Sequence, residues 1–556
     1  MSESKPAAPQ SPRRGETVDV LIIGAGPSGA VVARDLAAAG LSVMTLEQGH
    51  WPDANEFPGR RKEYELVAQK RWHPNPNVRD LPRDYPVDTS ESDINPLMYA
   101  AVGGSTTLYA GHWTPFLPSD FRVKTLDGIA DDWPFTYEDL LPHLEEVERE
   151  VGVSGLPGNP AYPPQKAFPT PPLPIGKAGR KAVEGLDKLG WHWWPGTNAM
   201  PSVAYNGLNP CVRRGTCMTG CPEGAKSTVN ITYWPHAIKA GARLVTGARV
   251  REITVNERGL ATGAVYIDAN GRERKQEARL VIVCANGIGT PRLLLLSKSK
   301  RFPDGLANSS GMVGKRLMMH PFSAVLGVFE DELDGWRGPF GQLVESFQFY
   351  ETDEKRGFLR GAKWGAMPGG GPLGVTSFVG SRIFEEKGAT VEDVWGETLH
   401  KLVERRFNHC LVYGIIGEDL PEESNQVVLD PNLTDSDGVP APKLLYKVSQ
   451  NSHDMLRFHV DRCLEAVKAS GAIETVVVHQ VRDTGWHLLG TARMGDNPKT
   501  SGGNQWGQAP DVPNLYIMDG STLPTSGGVN PTATIMSVAL RQVRHLVAER
   551  RNQEAA

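Results

Sequence analysis

Three cysteines stand close together in a chain that has few. Cys211, Cys217 and Cys221 fall within eleven residues, in the spacing Cys-x5-Cys-x3-Cys followed by Pro222, whereas Cys284, Cys410 and Cys463 are isolated. The bacterial ferredoxin run is C-x2-C-x2-C-x3-C-P. Removing its second cysteine gives the spacing found here, with Arg214 in the vacated place. Three thiolates suit a three-iron 3Fe-4S cluster that lacks a fourth corner. Two alternatives stay open: a three-ligand zinc site completed by a distant residue, and plain reduced thiols. A structural zinc usually takes four ligands from paired C-x2-4-C knuckles, and those are absent. Arg213, Arg214 and Lys226 flank the trio and could balance its negative charge or meet an acidic acceptor; solvated surface charge is the plainer account. Six cysteines in 556 residues are too few for a disulfide framework.

A second constellation lies near the N-terminus. Val18–Ile23 is an apolar run broken only by Asp19, as expected for a parallel strand buried on both faces. Gly24-Ala-Gly26-Pro-Ser-Gly29 follows, then a helix through Ala39 that ends at Gly40, and a strand over 42–46 that ends at Glu47. In such a βαβ unit the glycines serve a tight turn, close approach to a pyrophosphate, and helix-on-strand packing. The helix start offers free amides to phosphate. Glu47, 18 residues past Gly29, is placed to accept hydrogen bonds from a ribose diol. These residues predict dinucleotide binding.

The elements around these sites predict an α/β chain that returns to its nucleotide domain several times. Ala101–Thr106 includes Gly103, Gly104 and Ser105, a small loop whose backbone could lie against a planar ring. Segments 241–250, ending in Val250, and 279–284 read as further strands, and 285–296 as a turn into a helix with Pro291 near its start. Asn514–Asp519-Gly520 reads as a strand, followed by Gly527-Gly528-Val529-Asn530-Pro531 and a long helix. The segmentation expected is a disordered tail over 1–16, a Rossmann-like nucleotide domain in parts 17–125, 226–320 and 510–550, and an insertion over 126–225 that carries the cysteines. An α+β substrate domain with an antiparallel sheet should occupy 321–509. Residues 155–176, rich in Pro and Gly, read as a linker, and Trp191-His192-Trp193-Trp194 as core packing or a partner contact. The net charge of −5 without a basic patch argues against nucleic acid as a partner. No apolar run reaches the ~18 residues of a membrane span. Arg13-Arg14 is not followed by an apolar export segment, so no signal peptide is read.

Six ordered motifs resemble the glucose-methanol-choline (GMC) oxidoreductase family from residue 18 to about 548. They are the fingerprint with Glu47, Gly103-Gly104-Ser105, Gly287…Thr290-Pro291, Val313-Gly314…His320-Pro321, Gly485–Gly495, and Asp519-Gly520…Asn530-Pro531. The resemblance implies bound FAD, with Asp519 and Gly520 near its ribityl or phosphate region and the Gly103 loop against its ring; Val250 is expected beside it. Some family members attach flavin through a histidine shortly after the double glycine. Leu108 holds that place here, which implies non-covalent FAD, with His112 nearby. The resemblance also implies that His487 and Asn530 carry the chemistry. An alcohol proton is too weakly acidic to leave unaided, and imidazole titrates nearest neutrality. Without the motif, a histidine beside Trp486 would read as a packed core residue, the reading kept here for His320 and His459.

The cysteine spacing narrows the resemblance to cluster-bearing catalytic subunits of bacterial sugar dehydrogenases of the glucose and gluconate type. Those work with a small exported subunit and often a cytochrome, which implies a periplasmic location by co-export, the alternative being cytoplasmic. A one-electron relay favours a dehydrogenase over an oxidase that uses dioxygen, the rival in which the cysteines are structural. A second rival, a flavin-binding subunit without activity, is argued against by the His487/Asn530 pair. The sequence around His487 is closer to the general family pattern than to glucose dehydrogenases. The expected substrate is therefore sugar-type without a fixed position: a hemiacetal, a ring hydroxyl such as C3 of a glucoside, a polyol or an aldonic acid.

Overall fold

A computed structural model describes residues 16–375 and 395–555, apart from positions 69 and 80. The expected disordered tail lies, except for its last residue, outside the described residues. Thr17–Ile23 forms the central strand of a seven-stranded sheet, with parallel neighbours Val43–Glu47 and Glu273–Val283. Its sequence is apolar without alternation because helices cover both faces of the sheet. Arg243–Thr246 extends the parallel part on one side and Leu515–Ile517 on the other. The long strand Glu273–Val283 changes partners along its length. Its first half pairs antiparallel with Ala261–Ile267, and its second half lies parallel between the first and last strands of the chain.

The fingerprint turn leads into the helix Pro27–Ala38, and the chain ends in the helix Thr532–Ala555, which packs against it. Segment 241–250 is two strands rather than one, because Gly247 turns at φ +63° between Arg243–Thr246 and Arg249–Val255. Pro291 lies inside the helix Asn286–Leu296, not at its start; the Asn286 side chain caps that helix by accepting from the amides of Ile288 and Gly289.

A six-stranded sheet, antiparallel throughout, stands over the nucleotide domain: Glu474–Val478, Phe322–Val328, Cys410–Gly417, Ala362–Pro368, Val344–Ser346 and Trp194–Pro195, in that order. Five of its strands come from the segment expected to form it. The edge strand comes from the tryptophan patch ahead of the cysteines, where Trp191 packs edge-on to Phe349 and Trp364 with centroids 5.1 and 5.9 Å apart. The helices Gly176–Leu189 and Gln450–Ala469 cover this sheet. Residues 155–176 are irregular but packed, with Tyr162 buried and its hydroxyl donating to Pro115 O at 2.7 Å. Among the described residues no helix is long and apolar enough to cross a membrane.

A buried ion cluster joins the two sheets. Arg360 donates to Asp120 at 2.7 Å and to Glu418 at 2.8 Å, and none of the three is more than 2% exposed. The Tyr350 hydroxyl donates to Asp120 and accepts from the amide of Gly528 at 2.7 Å. The loop carrying Asn530 is therefore tied to the scaffold two residues before the side chain that matters.

Candidate functional site

One cavity of about 390 Å³ runs from the fingerprint turn to the seam between the two sheets, within the ~300–1,000 Å³ typical of small-molecule and cofactor sites. Gly24, Gly26, Glu47, Gly104, Ser105, Val250, Asp519 and Gly520 line it, and so do His487 and Asn530 at the far end. Gly29 and Gly103 are not among its walls and serve packing. A Cβ on Gly29 would fall 2.0 Å from Gly24 O, and one on Gly24 would fall 2.3 Å from Cys284 O. A Cβ on Gly26 would meet no protein atom, so the turn leaves open space where the pyrophosphate of a dinucleotide would lie. Gly103, at φ +102°, donates from its amide to Ala25 O at 2.9 Å, which holds the second glycine loop on the first.

The two carboxylates of the slot are fixed by backbone. Glu47 accepts from the amides of Ala25 at 2.9 Å and Gly49 at 2.8 Å, and burial raises it to about 7. Asp519 accepts from the Asn286 amide at 3.0 Å, the Thr290 hydroxyl at 2.6 Å and the Ser521 amide at 2.9 Å, which ties the start of the Asn286 helix to the last strand. Leu108 is fully buried against Phe57, Trp72 and Tyr99 and faces away from the cavity, whereas His112 lines it. The open slot, the amides at its helix start and the fixed acids suit FAD.

At the other end, a chain of hydrogen bonds assigns the tautomers. His320 Nε2 lies 2.5 Å from Gly527 O, a pure acceptor, so that nitrogen carries hydrogen. Burial pulls His320 down to about 4, so near neutrality it is uncharged and its Nδ1 is bare. His487 Nδ1 lies 3.0 Å from that Nδ1 and must therefore donate to it. The lone pair of neutral His487 is then on Nε2, which faces the Asn530 amide nitrogen at 3.4 Å. Burial, then the nearby His320 and Lys363, hold His487 well below the ordinary imidazole range. Asn530 Oδ1 accepts from Lys363 Nζ at 2.7 Å, which leaves its NH2 group for His487 and the cavity. A neutral base and an amide donor thus point at one spot.

His320 was assigned to the core by sequence reasoning, and the structure places it in this chain. It adopts φ +58°, an unusual backbone for a histidine ahead of a proline, and such strain gathers at functional sites. Its place in the His320-Pro321 motif was the available signal. Lys363 had none, since strand residues give no sign of which distant side chains they will meet.

Cys211, Cys217 and Cys221 line a second, smaller cavity together with Lys226 and Pro339. Cys221 Sγ accepts from the backbone amide of Lys226 at 3.4 Å, and burial raises the thiols of Cys211 and Cys217. The ammonium of Lys226 is buried and donates to the carbonyls of Cys217, Thr107 and Tyr109. Met218 and Phe340 line the large cavity from the cysteine side, so little separates the two sites. Among the described residues no group of three His, Cys, Asp or Glu is arranged to grip a metal ion, this trio included. Arg214 pairs with Glu223 and is not a free cation.

The chain belongs to the GMC oxidoreductase family. It matches the family's N-terminal profile over residues 176–322 and its C-terminal profile over 421–539, and an FAD binding domain profile over 17–56. It is 42% identical to a 2-methyl-1,2-propanediol dehydrogenase of Mycolicibacterium austroafricanum, over 95% of this chain and 94% of that one. It is 29% identical to a fructose dehydrogenase large subunit of Gluconobacter japonicus, over 94% and 97% of the two chains. The fold also matches a pyridoxine 4-oxidase crystal structure, with a TM-score of 0.61 at 15% identity, over 95% of this chain and 99% of that one. The protein is an FAD-dependent oxidoreductase of this family.

Proposed function

We propose that this protein is a dehydrogenase that oxidises a compact diol or polyol, with His487 as base and Asn530 as orienting donor. One observation carries the reading: a single cavity joins the fingerprint turn to the His487–Asn530 pair. Bound, non-covalent FAD supplies the hydride acceptor. The substrate hydroxyl donates to His487 Nε2 and accepts from the Asn530 amide. As the hydroxyl proton moves to His487, the carbon releases its hydrogen as hydride and a C=O bond forms. Positioned base catalysis of this kind contributes roughly 10²–10⁴-fold. Charge building on the oxygen meets the Asn530 donor, already oriented.

Part of the cavity lining supports a compact substrate, although Asp483 and Thr484 line it too. The antiparallel sheet presents Phe322, Met367 and Ile416 to the cavity, and Val481 adds to them. Apolar side chains bury the body of a short alcohol well but leave ring hydroxyls without partners. The diol named for the 42% identical relative fits this better than a sugar. The sugar reading keeps support from the fructose dehydrogenase relative, and a panel of diols, polyols, hexoses and glycosides with a dye acceptor separates the two.

Cys211, Cys217 and Cys221 would hold a 3Fe-4S cluster, which supplies one-electron transfer to an external acceptor such as a cytochrome. The three cysteines lining one small cavity and the Lys226 amide on Cys221 support this, since amide hydrogen bonds to cluster sulfurs tune the potential. Iron and acid-labile sulfide in the purified protein, with dye reduced faster than dioxygen, is the expected outcome. An iron-free protein with full dye activity ends the relay part. Turnover of His487→Ala within a few-fold of the parent ends the base assignment.

A further inference from the structure

Behind Asn530, away from the cavity, sits a lysine that no part of the proposed mechanism has used. Lys363 lies on the strand Ala362–Pro368 with its side chain fully buried. Its Nζ donates to Asn530 Oδ1 at 2.7 Å and to Gln342 Oε1 at 2.7 Å, and lies 3.2 Å from His112 Nδ1 and 3.3 Å from Thr114 Oγ1. Gln342 in turn donates to Glu345 Oε2 at 2.7 Å, and Asn159 donates to the other oxygen of Glu345 at 3.3 Å. The amine therefore has every hydrogen engaged and a buried carboxylate one residue away to balance it.

We infer that Lys363 is a positioning residue that commits Asn530 to act as a donor toward the substrate oxygen and keeps His487 unprotonated. This rests on the reading of His487 and Asn530 given above. The first half is geometric. An amide side chain can present either end, and an Asn530 turned the other way would face a developing oxyanion with its own oxygen. The Lys363 ammonium, a donor only, donates just to the Oδ1 end. The second half is electrostatic. The titratable groups facing His487 are His320, Lys363 and His112, and those facing Lys363 are Glu345, His112, His320 and His487. Among these only Lys363 brings a positive charge to the pocket at neutral pH. Burial lowers Lys363 to about 7 against the pull of Glu345. The charge is thus present on the acid side, where protonation threatens His487. Above that range the neutral amine keeps two hydrogens but gains a lone pair, so its hold on the Oδ1 end belongs to the charged form.

The test uses the holoenzyme with flavin content measured for each variant. Lys363→Met is expected to lower kcat by about 10- to 100-fold with little change in KM, short of the ~10²–10³ for deleting such a donor outright. The acid limb of kcat/KM should move up by about half a pH unit or more, since a like charge no longer opposes protonation of His487. Lys363→Gln keeps a donor for Asn530 without charge, so it should recover much of kcat but keep the displaced limb. Resonances of 13C-labelled histidine give the His487 titration without turnover and should shift the same way. A limb and a titration unmoved in both variants overturn the electrostatic half, and parent-like kcat in Lys363→Met overturns the positional half. If Lys363→Met does not fold, Lys363→Gln carries both readouts: an unmoved limb overturns the electrostatic half, and a kcat as low as that of Asn530→Ala overturns the positional one. Failure of the underlying reading looks different, since His487→Ala would then keep turnover whatever Lys363 does.

Discussion

His320→Ala tests whether a tautomer chain prepares the base. His320 presents a bare Nδ1 to His487 because its Nε2 hydrogen is committed to Gly527 O. Removing the ring leaves His487 Nδ1 without its acceptor at 3.0 Å, and the imidazole can then place its hydrogen on either nitrogen. A net hydrogen bond is worth about 1 kcal/mol, so the ratio of productive to unproductive tautomer should fall about fivefold, and 1.5 kcal/mol would make this about 12-fold. Complete loss of the base costs roughly 10²–10⁴-fold. His320→Ala should thus lower kcat by about twofold where the tautomers are otherwise equal, rising to no more than about 12-fold where the unproductive one is preferred, and stay well above His487→Ala. Steady-state turnover with a dye acceptor, normalised to bound flavin, measures both variants against the parent. A kcat equal to the parent's would show that His320 does not set the tautomer. A loss as deep as that of His487→Ala would show that His320 handles the proton itself, and either result refutes the reasoning.

Four further outcomes follow from named contacts. The acid limb of kcat/KM should lie below the ordinary imidazole value of about 6.5, because burial holds His487 down and the neutral form is the active one; a limb at or above that value counts against the assignment. Gly29→Ala should abolish flavin binding and lower thermal stability, since the added Cβ would sit 2.0 Å from Gly24 O, and the flavin-to-protein absorbance ratio reports it. Arg360→Met should destabilise the fold by about 3–5 kcal/mol by leaving Asp120 and Glu418 buried without their partner, read as a shift in denaturant midpoint. Cys217→Ser should lose iron and sulfide and slow transfer to a one-electron protein acceptor, while substrate still bleaches the bound flavin anaerobically.

The nucleotide half was legible because its signals are local. An unalternating apolar strand, glycines at turn spacing and an acid at the end of the next strand lie within about thirty residues, and each is dictated by backbone sterics and burial. The pairing of His487 with Asn530 came through as motifs, but their distance and tautomers did not. Sequence shows neither that Gly527 O stands beside His320 nor that a lysine on a strand 167 residues away grips Asn530. The two-residue edge strand Trp194–Pro195 and the break at Gly247 were likewise invisible, being too short to leave a periodic pattern.

The family resemblance of the motifs pointed to flavin and to His487 and Asn530, while composition, spacing and turn chemistry by themselves determined the nucleotide-binding βαβ unit. They could do so because period and steric demand are written along the chain. Tertiary packing decided which nitrogen of His487 is bare, which way Asn530 faces, and how apolar the substrate walls are. Those properties depend on side chains brought together from separate strands and loops, where burial sets the charge and the nearest pure donor or acceptor sets the orientation.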